Sequence, residues 1–130
     1  MKISAVALPV CWVAALPLTA AAHHSWRAVY DGGENVTVDA TLTSEIFRNP
    51  HATVRATIAG ESGEAEEWTI EWRGGPRGEG DGEPIAELGP GDAVVIEGRV
   101  ARFPRSKKLQ LYSLTRLVDG MRFEARRPSN

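Results

Sequence analysis

The sequence predicts an all-β domain, a small OB-like barrel of five to six strands. Three observations carry that expectation. Short segments alternate apolar and polar residues at period two, turn chemistry punctuates them at regular intervals, and one longer Gly- and Pro-rich interruption divides the third strand from the fourth. A β-sandwich from the same strands is the alternative, because strand order is not legible in the alternation.

Residues 23 to about 35 read as an extended lead-in that ends in the turn Asp31-Gly32-Gly33, with Trp26 and Tyr30 pinning it against the barrel. Val36, Val38, Ala40 and Leu42 then alternate with Thr37, Asp39, Thr41 and Thr43, the pattern of a half-buried first strand. Asn49-Pro50 breaks the chain, and Ala52, Val54, Ala56 and Ile58 begin a second alternation. Gly60 to Gly63 supplies hairpin glycines. In the third strand Trp68, Ile70 and Trp72 share one face, with Glu67, Thr69, Glu71 and Arg73 on the other.

Gly74 to Pro84 reads as a long loop, with one helical turn expected over Pro84 to Leu88. After the turn Leu88-Gly-Pro-Gly-Asp92, Ala93 to Ala101 has the strongest β character, and Arg102 to Lys108 is a basic loop. Leu109 to Leu117 is the fifth strand, Asp119-Gly120 a turn, and Met121 to Glu124 a short sixth. Residues 23–124 are thus one domain, followed by a frayed tail over 125–130.

The first 22 residues read as an export signal. Met1-Lys2 is a short positive start, Ile3 to Leu18 is almost wholly apolar, and Ala20-x-Ala22 fits the small-residue cleavage rule. The apolar run is too short to favour a permanent span, so the mature protein is expected to be periplasmic or secreted and not membrane-embedded. Cleavage after Ala22 removes Cys11, the only cysteine. The mature domain then has neither thiolate nor disulfide, and its stability rests on a packed core.

The same cleavage makes His23 the first residue, with His24 beside it, and the chain has only three histidines. A free α-amine next to an imidazole is a chelate for a borderline metal ion, and the Irving–Williams order favours copper. His51 follows Asn49-Pro50, where the proline restricts the backbone, and can complete a set of one amine and two imidazoles. Zinc is disfavoured, since no cysteine survives and no tight four-ligand cluster is present. Asp31 and Glu45 are candidate oxygen ligands or partners that orient an imidazole.

His23-His24-Ser25, an aromatic two residues on, Phe47-Arg48-Asn49-Pro50-His51, the Trp-containing third strand and Gly89-Pro-Gly-Asp-x-Val-x-x-x-Gly98 together carry a resemblance. They resemble the small exported bacterial proteins of domain of unknown function 6152. That resemblance implies location and fold, and it implies no activity. It also implies a short apolar helix before the Pro-Gly-Asp turn, a place that Gly74 to Gly82 fills here with glycine and acidic residues.

Charge divides along the chain. It holds 15 basic and 17 acidic residues overall, yet nine basic residues follow Gly98: Arg99, Arg102, Arg105, Lys107, Lys108, Arg116, Arg122, Arg126 and Arg127. A basic face on an OB-like barrel ordinarily suggests nucleic acid. Export argues against that partner, which leaves Arg99, Arg102, Arg105, Lys107 and Lys108 as a candidate surface for an anionic envelope surface or an acidic envelope protein partner, with a plain solvated face as the commoner outcome for such a run. No phosphate loop in strand-turn-helix context and no nucleophile in a recognisable setting is present, so catalysis has little support. The expected role is an exported binding or accessory protein with a copper site at His23, His24 and His51. The alternatives are a metal-free interaction module and a copper-dependent redox enzyme with an N-terminal histidine.

Overall fold

The computed structural model describes residues 25–48, 51–73 and 87–125. The expected export signal, His23, His24, the Asn49-Pro50 break, residues 74–86 with the expected loop, and the tail beyond Ala125 lie outside the described residues. The elements are α1 (Trp26–Tyr30), β1 (Asn35–Leu42), β2 (Phe47–Arg48), β3 (Ala52–Ala59), β4 (Ala65–Trp72), β5 (Ala93–Val100), β6 (Lys108–Arg116) and β7 (Arg122–Glu124).

Five strands close on themselves in the order β1-β5-β6-β4-β3, and β1 returns to β3. Closure comes from β1 dividing its partners. Its length from Asn35 to Thr41 runs antiparallel to β5, while Ala40 to Leu42 pairs with Ala56 to Ile58 of β3. β4 and β6 meet in parallel through Thr69 to Glu71 and Lys108 to Gln110, and the remaining neighbours are antiparallel. This order and single parallel seam are those of an OB-like barrel, so the expected fold class holds and the sandwich does not. Full closure also satisfies the backbone groups that open sheet edges would expose.

Alternation places the core as the pattern requires. Ala56, Ile70, Val94 and Ile96 are fully buried, and Leu42, Val54, Trp72, Leu109, Leu111, Leu114 and Phe123 nearly so. Trp72 tilts against Phe123 with ring centroids 5.8 Å apart. Trp68 packs at the rim of the same cluster, so the aromatic face of the third strand is core rather than an open stacking platform. The indole N–H of Trp72 is buried without a hydrogen-bond partner among the described residues.

Register slips once between β5 and β6. Glu97 pairs with Ser113 but Gly98 pairs with Leu111, which leaves Tyr112 as the extra residue of a bulge. Glycine is required opposite it: a Cβ on residue 98 would overlap the Gln110 carbonyl oxygen and the Leu109 side chain. Two expectations need correction. The lead-in is not extended but turns through the helix α1, and a two-residue strand, β2, pairs with the start of β3. The helix owes its place to packing: Trp26 and Tyr30 are four residues apart, so both point from one side of a turn into the same small cluster with Ala101.

Candidate functional site

One end of the barrel gathers α1, the first residue before β3, the end of β4 and the hairpin between β5 and β6. Antiparallel pairing of Ala52 with Trp72 sets His51 near the end of β4. The Arg102 N–H donates to the Val29 carbonyl at 2.9 Å, fastening α1 to the hairpin. Ser25 stands at the N-terminal cap without a side-chain cap bond, so docking rather than capping holds this short helix.

At the centre is Trp26, which is buried. The His51 ring meets it edge-on at 5.0 Å between centroids with an interplanar angle of 69°. Trp26 also stacks on Tyr30 at 5.3 Å, and the Arg73 guanidinium lies 5.8 Å from the centre of the indole. The Tyr30 hydroxyl donates to the Glu71 carboxylate. Burial pushes the Tyr30 phenol well above its ordinary range, reinforced by that hydrogen bond and by the Glu71 charge. The result is a continuous line from imidazole through two aromatic rings to a carboxylate, assembled from three separate parts of the chain.

Of the three expected ligands, His51 lies in this cluster, half-buried, while His23 and His24 lie outside the described residues. Among the described residues no three His, Cys, Asp or Glu side chains converge as a ligand group. Glu45 lies beside Gly89 in the turn before β5, and Asp31 is exposed just past α1. Neither touches His51. The carboxylate that does belong to the cluster is Glu71, held by Tyr30. Sequence reasoning missed the Tyr30–Glu71 bond, and the four-residue spacing of Trp26 and Tyr30 was the signal for the helix that makes it.

The basic residues do not behave as one stripe. Lys107 is neutralised by Glu66 at 2.6 Å and lies over the Trp68 ring at 5.2 Å. The Glu66 carboxyl is held below its ordinary value chiefly by Lys107, then by the Trp68 N–H. Arg116 pairs with Asp119 at 2.7 Å and lies 3.8 Å from both Glu87 and Asp92. Arg122 pairs with Glu97 and Glu124. Arg99 bonds Asn35 and lies over the Tyr112 ring, whereas Arg102, Arg105 and Lys108 make no ion pair with any described residue. A shallow groove at the opposite end of the barrel, about 340 Å³, is lined by Asp39, Thr41, Thr57, Ala93 and Leu117 and holds no cluster of titratable side chains.

No helix among the described residues is long and apolar enough to cross a membrane. No curated protein and no solved structure matches the chain. A family of unknown function, DUF6152, does match, over residues 10–109, and with the His51 motif and the whole run of strands from β1 to β5 inside that match the chain belongs to this family.

Proposed function

We propose that this is an exported binding or accessory protein that holds a copper ion between His23, His24 and His51, with the α-amine freed by cleavage after Ala22 as a further ligand. One observation carries the reading: the His51 ring packs against Trp26, only two residues along the chain from His24. Two peptide units span about 7 Å at most, so covalent connection alone keeps the His24 backbone close to the residue that touches His51. Imidazole and amine donors suit copper, and a buried aromatic beside His51 limits the rotations open to the ring. Tyr30, anchored on Glu71, fixes Trp26 in turn.

The test compares Cu(II) affinity in three proteins by calorimetry or competition with a chelating dye. The first starts at His23, the second carries one extra N-terminal glycine, and the third is His51→Ala. The chain starting at His23 is expected to bind at least tenfold more tightly than either of the others, a difference of about 1.4 kcal/mol. Equal affinity across all three removes the site. Intact mass of the exported protein checks the cleavage separately.

A further inference from the structure

We infer that the tip of the β5–β6 hairpin docks the protein onto an anionic phospholipid surface, with Phe103 entering the headgroup layer and Arg102 and Arg105 meeting lipid phosphates. This goes beyond the copper reading and does not depend on it.

The hairpin from Arg99 to Lys108 holds five basic residues and no acidic one. Lys107 is spent on Glu66, but Arg102 and Arg105 are exposed and make no ion pair with any described residue. Phe103 stands between them with 64 % of its surface in water, so the hairpin tip presents an apolar ring beside two guanidinium groups. The tip is also held rigid. Ser106 N–H bonds the Phe103 carbonyl at 2.9 Å, Ala101 N–H bonds the Lys108 carbonyl at 2.9 Å, and Lys107 takes a left-handed φ of 47°. Arg102 is tied through its own N–H to α1, which brings exposed Arg27 to the same end, and Arg73 lies there over Trp26. Among the described residues, the acidic groups on α1's flank are Asp31 and Glu34, and Glu71 is already engaged by Tyr30.

This chemistry favours a lipid surface over a nucleic acid. Base stacking needs an open aromatic face, and the Arg102 guanidinium lies over Phe103 at 5.1 Å from the ring centre. Arg102 and Arg105 flank the turn at the end of a hairpin, and the groove lined by Asp39, Thr41 and Leu117 includes neither of them. An apolar ring flanked by guanidinium groups that stay at phosphate level is instead the arrangement that an interface between water and acyl chains accepts.

Co-sedimentation with vesicles tests the proposal on the whole mature chain, with chelator present so that metal plays no part. Vesicles of phosphatidylcholine alone are compared with vesicles that also contain phosphatidylglycerol. The protein is expected to sediment only with the anionic vesicles and to be released by high salt. Arg102→Ser and Arg105→Ser should each weaken partitioning about fivefold. Phe103→Ser should weaken it without changing the salt dependence, and these exposed positions leave the melting temperature as a check on folding. Equal sedimentation with both vesicle types, no effect of Phe103→Ser, or tighter binding to a single-stranded oligonucleotide than to anionic vesicles overturns it.

Discussion

Tyr30→Phe isolates the bond that ties α1 to the barrel. Phenylalanine keeps the ring, and with it both the stack on Trp26 and the burial of a side chain that is 1 % exposed. Only the donation to the Glu71 carboxylate is lost. Hydrogen bonds to charged groups contribute about 1.5–3 kcal/mol. Glu71 is only half-buried and can turn to water, so the lower end applies, roughly 1–2 kcal/mol. In a domain of this size that corresponds to a fall in melting temperature of about 4–15 °C.

The pH dependence reads the same buried phenol in a second way, since its titration is raised first by burial and then by the Glu71 bond and charge. The folded phenol titrates above its ordinary value of 10.0, so its contribution is complete below pH 10.0 and is lost as pH rises beyond it. Wild type should therefore lose stability above that pH by about 1.4 kcal/mol per unit from this group, and Tyr30→Phe should not. Urea denaturation at a series of pH values measures both effects. A variant equal to wild type at neutral pH, with the same alkaline slope, would refute the argument.

Three further outcomes follow from other parts of the barrel. Gly98→Ala drives a methyl group into the β6 backbone and should cost at least 1–3 kcal/mol, read as a lowered urea midpoint. Trp72→Phe removes an indole N–H that lacks a partner among the described residues, along with part of the ring, so the gain and loss offset. Its cost should stay below about 1.5 kcal/mol, against about 3–5 kcal/mol for Phe123→Ala in the same contact, and equal costs would disprove the reasoning. Glu66 is held below its ordinary value of 4.5, so its pairing with Lys107 stabilises above that pH and is lost as pH falls through the lowered value. Glu66→Gln should flatten that part of the acid limb in a pH-dependent melt.

How much of this was legible in the chain differs by element. The Ala52-Val54-Ala56-Ile58 face and the Trp68-Ile70-Trp72 face could be read as inward because a strand's side chains alternate by geometry, whatever its partners. The helix α1 was not legible as a helix: five residues carry too little propensity to form one unaided, and it exists because Trp26 and Tyr30 bury against Ala101. The basic run after Gly98 was visible as composition. Its division into paired Lys107, Arg116 and Arg122, and Arg102 and Arg105 without an ion pair among the described residues, depends in part on acidic residues distant in sequence, Glu66 and Glu97 among them.

The sequence by itself determined the strands other than β2, most of their inward faces and the family, because period-two alternation and local motifs are properties of neighbouring residues. Tertiary structure alone decided closure, through β1 sharing itself between β3 and β5, and the seam where β4 meets β6 in parallel. It also decided that His51, Trp26, Tyr30 and Glu71 form one line of contacts. Those residues lie as much as 45 positions apart, from Trp26 to Glu71, and no local pattern encodes a contact between segments that meet only when the barrel closes.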